Sequence, residues 1–145
     1  MIIQKTAPIS AQKNQGGYFM ITGVEHIGIY AKDSKALKEW YEKVFDFEQV
    51  YDNKKGTYFL KLADNTMLEI CQQVEEPDEF TPTKGGLRHI AFYVDDFEEM
   101  VDRIKAAGAE VVTDAKVSAS GVKTFFFKDL DGNIMHLINR QTPLY

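Results

Sequence analysis

The chain has 145 residues, with 17 basic against 22 acidic side chains and a formal net charge of −5; that length suits one domain, or two small units sharing one core. A 44% hydrophobic and 12% aromatic content excludes general disorder, and the acidic balance excludes a broad affinity for nucleic acid or an anionic membrane surface. Cys71 is the only cysteine, which excludes an intramolecular disulfide or a Cys-rich zinc knuckle, and no apolar run approaches the roughly 20 residues that span a bilayer, so a cytoplasmic protein is expected.

Residues 1–19 lack the basic start, apolar stretch and cleavage site of a signal peptide. Their polar, Gln-rich middle has neither helical nor strand period and reads as a disordered tail. Gln15-Gly16-Gly17 can also be encoded by CAA-GGA-GGT, a ribosome-binding sequence, just upstream of a start codon for Met20. Residues 1–19 are therefore read as tail or translated leader of a bacterial gene, and 20–145 as the domain.

The domain resembles itself. HIGIYAKD from His26 can be laid on HIAFYVDD from His89, with His, Ile, Tyr and the final Asp matching. Each segment leads into an amphipathic helix. Leu37, Trp40, Tyr41, Val44 and Phe45 form one helical stripe, and Phe97, Met100, Val101, Ile104 and Ala107 form the other. Asp33 or Ser34 can cap the first helix; Asp96, with Glu99 three residues on, caps the second, and Gly108 can end it. Three strand patterns follow each helix, at about 47–51, 57–62 and 66–71, then 110–113, 122–128 and 134–139. Asp131-Gly132 is a strong hairpin signal before the last of them. The order is βαβββ twice, an α+β chain with module 1 over about 21–74, a linker over about 75–86 and module 2 over about 87–141.

Side chains alternate across a strand, so phase tells which residues look the same way. His26 shares a face with Gly28 and Tyr30, and His89 with Ala91 and Tyr93, opposite apolar sides that suit packing on the helices. In the last strand of each module, Glu69 and His136 each stand between apolar neighbours. Glu69 follows His26 by 43 residues and His136 follows His89 by 47. One strand histidine alone reads as a packed side chain. All three histidines of the chain in this pattern, with a carboxylate that would be costly to bury unpaired, read as one divalent-metal site. Phe125, Phe126 and Phe127 divide between core and pocket, with Phe126 a candidate substrate contact beside Tyr30 and Tyr93. Cys71 reads as a buried free thiol.

The set GVEHIGIYAKD, LRHIAFYVDD and FFFKDLDGNIMHLI resembles the vicinal oxygen chelate superfamily, which holds glyoxalase I, extradiol dioxygenases, bleomycin-resistance proteins, fosfomycin-resistance thiol transferases and methylmalonyl-CoA epimerase. The resemblance runs from about Gly23 to Arg140. It implies two tandem βαβββ modules building a half-open, cup-shaped mixed sheet with flanking helices, and one divalent metal held by His26, Glu69, His89 and His136. The implied chemistry is a metal holding two adjacent oxygens of a small molecule and stabilising an enediolate or oxyanion. The family's pairing habit implies a homodimer, in some members with modules swapped between chains.

Two departures matter. The final position is His136 where the family usually has Glu, so either His136 detaches to move the proton or Glu69 is the base. Tyr30 stands where glutathione-dependent glyoxalases commonly place an Arg, which argues against glutathione. A three-His, one-Glu set can hold Zn, Ni, Co, Mn or Fe. The expected activity is a metal-dependent lyase or isomerase of the glyoxalase type, with Glu69 and His136 as catalytic candidates. The alternatives are an Fe(II) extradiol-type dioxygenase and a non-enzymatic binder of a drug or metabolite. Intact mass of the natively expressed protein checks the start: a chain beginning at Met20 is expected, and a mass that includes residues 1–19 overturns that reading.

Overall fold

The structure, a computed structural model, describes residues 23–78 and 85–144. The tail reading of residues 1–19, the strand start at Met20 and the middle of the linker lie outside them. The described chain runs β1 (His26–Ala31), α1 (Ser34–Phe45), β2 (Glu48–Asp52), β3 (Tyr58–Lys61), β4 (Met67–Gln72), β5 (Ile90–Tyr93), α2 (Phe97–Ala106), β6 (Val111–Val117), β7 (Val122–Lys128) and β8 (Ile134–Arg140). This is the α+β pattern of two βαβββ modules. No helix among the described residues is long and apolar enough to cross a membrane.

Each module forms its own four-stranded mixed sheet, in the order β1-β4-β3-β2 and β5-β8-β7-β6. β1 runs parallel to β4 and β5 parallel to β8; the other pairs are antiparallel. The parallel pairs need a long crossover, which the helix and its following hairpin supply. Asp33 caps α1 by accepting from the Ala36 N–H, and Asp96 caps α2 by accepting from the Glu99 N–H. α1 ends on Asp46 in the left-handed region, an end no Gly marks in the sequence. After α2, Gly108 takes φ +75, as a helix stop requires. Ala107, placed on the apolar stripe by its spacing, is exposed because the helix has already ended there. β6 continues to Val117, beyond the four residues its apolar pattern suggests.

One core serves both modules. Ile29, Ala31, Leu60, Leu68 and Ile70 from the first sheet meet Phe92, Phe125, Phe127, Met135 and Leu137 from the second, with Leu37, Tyr41, Val44, Val101 and Ile104 from the helices between them. Phe45 lies 5.6 Å from Phe92 and 6.1 Å from Phe127, ring centre to centre, and Phe47 lies 5.8 Å from Phe92. Arg103 of α2 pairs with Asp46 at 2.7 Å, and the Lys32 N–H donates to Asp131 Oδ1 at 3.0 Å.

A buried polar contact crosses the same seam. The Tyr41 hydroxyl donates to Asp129 Oδ2 at 2.9 Å, and Asp129 also accepts from the Asp131 N–H and from the backbone and side-chain N–H groups of Asn133. The carboxylate thereby shapes the β7–β8 turn while anchoring α1. Burial raises its pKa above the usual carboxylate range, against those hydrogen bonds. The native state then keeps a proton that the unfolded chain has lost above about pH 3.9, so this group makes stability fall as pH rises from there to its raised pKa. Denaturant midpoints measured across acid pH should show that slope flattened in Asp129→Asn. Tyr41→Phe should lower stability by about 1.5–3 kcal/mol with an unchanged denaturant slope.

Candidate metal centre

Because the apolar face of each sheet is committed to the shared core, the other face of each is left open. In β1, His26, Gly28 and Tyr30 are exposed while Ile29 and Ala31 are buried. In the second module His89, just ahead of β5, is exposed with Ala91 and Tyr93, while Phe92 is buried. Register then carries the face across. Gly28 pairs with Glu69, and Glu69 with Phe59 of β3. Ala91 pairs with His136, and His136 with Phe126 of β7. The two faces therefore carry the same positions twice, with Glu69 and His136 as counterparts.

The first half of the site centres on His26. Its Nε2 lies 3.5 Å from Glu69 Oε2, its Nδ1 is hydrogen-bonded to Glu25, and the Phe59 ring meets it edge-on at 5.6 Å. The Glu25 hydrogen bond, with the charges of Glu25 and Glu69, holds the imidazole pKa above its usual range. Gly28 leaves Glu69 open on one side; a methyl group there would only just touch Glu69 Oε2, at 3.5 Å.

The second half centres on His136. It is 8% exposed, covered by Phe126, which stacks on it at 4.0 Å between ring centres. His89 lies 5.7 Å away, also ring to ring, and its own edge-on contact with Phe126 at 5.8 Å mirrors that of His26 with Phe59. His136 Nε2 is buried without a hydrogen-bond partner. Burial, reinforced by His89 and Arg140, lowers the His136 pKa to about 4, so the ring is neutral at neutral pH. A neutral imidazole with an unpartnered buried nitrogen is what a metal ligand needs. The donor types on these two faces thus fit a divalent cation of the Zn-to-Mn class.

Within one chain the donors come as two pairs, His26 with Glu69 and His89 with His136. No group of three or more metal-competent side chains forms among the described residues. A groove of about 610 Å³ between the outer strands β1 and β5 is lined by Gly28, Tyr30, His89 and Ala91, but by none of His26, Glu69 and His136. Tyr30 and Tyr93 stand 66% and 63% exposed on their open faces. Cys71, next to Tyr30 in register, is buried, and burial raises its thiol pKa, which disfavours a nucleophile. Phe59 and Glu25 escape a reading by spacing alone. Phe59 is nonetheless the partner of Phe126 once the repeat is extended to the third strand of each module.

His26 and His136 should separate by titration in the metal-free protein. As pH falls below 6.5 the unfolded chain protonates at His136 and the native chain does not until about pH 4, so stability is lost through that window. Side-chain NMR should show His26 taking up its proton above the usual histidine value and His136 still neutral at pH 5. A His136 midpoint at 6.5 or above would contradict the buried, unpartnered ring.

Comparison with known proteins agrees with this architecture. A family model described as Glyoxalase/Bleomycin resistance protein/Dioxygenase superfamily matches residues 23–137. The fosfomycin resistance protein FosX of Listeria innocua is 28% identical over 125 residues, covering 81% of this chain and 90% of that protein. Among solved structures, a glyoxalase family protein from Enterococcus faecalis superposes with a TM-score of 0.68 at 30% identity, over 81% of this chain and 97% of that one. A mutant of FosX from Listeria monocytogenes, complexed with Mn(II) and 1S,2S-dihydroxypropylphosphonic acid, shares the fold at a TM-score of 0.65 and 23% identity, over 86% of this chain and 94% of that one.

Proposed function

The chain belongs to the glyoxalase/bleomycin resistance protein/dioxygenase superfamily, and from that membership we propose a metal-dependent enzyme of the glyoxalase type. Its substrate is a small molecule with two adjacent oxygens. His26, Glu69, His89 and His136 hold one divalent metal, and the set is completed between two copies of the chain. The observation that carries this reading is the pair of half-sites, one of them with a buried imidazole nitrogen that has no partner. FosX of Listeria monocytogenes, a relative across most of the chain, was solved as a mutant complexed with Mn(II).

The open faces support pairing of two copies. Both look away from the shared core, and each carries two donors where a stable site needs three or four. A second copy related by a twofold axis brings the first face of one chain to the second face of the other, twice. Charge favours that meeting, with Glu25 and Glu69 on one half and Arg88 and Arg140 beside the histidines of the other.

A divalent metal in this set supplies a Lewis acid for charge that develops on the substrate's adjacent oxygens. The chain divides the remaining work. His136, stripped of basicity by its burial, serves as ligand rather than base. Glu69, half-buried and flanked by the open space above Gly28, moves the proton. Phe59 and Phe126 wall the site and hold the rings of His26, His89 and His136 in place. Tyr30 and Tyr93 offer hydroxyls for orienting a polar substrate, and no basic side chain on β1 faces the site for a glutathione carboxylate. A second reading, the opening of an epoxide such as that of fosfomycin, is favoured by the identity to FosX over 125 residues. Hemithioacetals, epimerisable thioesters and fosfomycin separate the two by which is consumed.

Elemental analysis of the purified protein should give near-stoichiometric divalent metal, lost in His89→Ala. A wild type that stays empty after loading with Zn, Ni, Co, Mn and Fe(II) would leave a binding protein as the better account. Mixing tests the shared site. His26→Ala and His136→Ala are each inactive alone, and after subunit exchange their heterodimers hold one intact site, restoring up to about a quarter of wild-type activity. No restoration would place all four donors within one chain.

A further inference from the structure

The first strand histidine has a carboxylate directly ahead of it. Glu25 accepts a hydrogen bond from His26 Nδ1, and its backbone carbonyl accepts from the Met67 N–H at 2.9 Å, which fixes the residue against the start of β4. On the other side of the ring, Nε2 lies 3.5 Å from Glu69 Oε2, and Phe59 braces the ring edge-on. A neutral imidazole carries a single N–H. With a carboxylate at Nδ1, the proton stays on that nitrogen and the Nε2 lone pair faces Glu69. Carboxylates placed this way behind a histidine fix its tautomer, its orientation and its strength as a donor.

The second module lacks this arrangement. Arg88 stands at the equivalent position ahead of His89, and its guanidinium donates to the Gly85 carbonyl. A guanidinium has no acceptor to offer an imidazole N–H. The repeat is broken here by a reversal of charge, and the two histidines that begin the two halves are held differently.

We propose that Glu25 is the positioning residue of His26, locking its Nδ1–H tautomer so that Nε2 is presented beside Glu69 as the donor atom. The consequence for metal affinity rests on the metal-site reading above, whereas the tautomer does not. Glu25 is exposed and outside the core, so its replacement leaves folding intact.

The test uses full-length protein carrying Glu25→Ala or Glu25→Gln. Long-range proton–nitrogen correlation spectra of the metal-free protein at alkaline pH report the tautomer, and His89→Gln and His136→Gln assign the remaining ring. The parent and Glu25→Gln, whose amide oxygen still accepts, should show His26 protonated at Nδ1. Glu25→Ala should shift the ring toward the Nε2–H form. Zn(II) competition against a chromophoric chelator should then show affinity weakened about 10–100-fold in Glu25→Ala and largely recovered in Glu25→Gln. The same tautomer in the parent and Glu25→Ala overturns the proposal, as does a changed tautomer with unchanged Zn(II) affinity. A parent that takes up no Zn(II) or other divalent metal removes the metal-site reading, and the tautomer spectra alone then decide the role of Glu25.

Discussion

A single apolar core packed from both sides is the constraint on which the rest of the molecule depends. Two sheets turn their apolar faces, each with its helix, into one common cluster, and the strand period of two does the remainder. Once Ile29 and Ala31 are inside, His26, Gly28 and Tyr30 must be outside; once Phe92 is inside, His89, Ala91 and Tyr93 must be outside. The positions of the candidate site are thus fixed by the positions that carry stability. They are also kept apart, since among the described residues no three of the metal-competent side chains come together.

Much of this was legible in the residues. Strand phase sorted Phe126 from Phe125 and Phe127, and the structure buries the latter two while stacking Phe126 on His136. Asp96 announced the second helix start, and of the two candidate caps of the first, Asp33 and Ser34, the structure uses Asp33. What phase cannot report is which faces meet. It placed four donors in equivalent positions, but their division into two pairs depends on how the modules pack. The Tyr41–Asp129 contact joins residues 88 apart and had no local signal. Glu25 was hidden differently, since it precedes the first residue of β1 and so falls outside the alternation that singled out its neighbour.

The two modules are alike in backbone and unlike in charge. Glu69 answers His136 and Glu25 answers Arg88, whereas His26 and His89, Tyr30 and Tyr93, and Phe59 and Phe126 keep their type. One half therefore offers a carboxylate and a histidine backed by another carboxylate. The other offers two imidazoles, one of them kept neutral by burial. A repeat with two identical halves would have placed either two carboxylates or none around a single cation. In the proposed site the mismatch sets two imidazoles on one side against an imidazole and a carboxylate on the other.

The seam between the modules also has a bearing on how the chain is made. Tyr41, Phe45 and Phe47 emerge early from the ribosome, yet their partners Phe92, Phe127 and Asp129 are synthesised much later. Module 1 must wait with its apolar surface uncovered until most of the chain exists. Closing the common core is for that reason a step that waits for the second half of the chain.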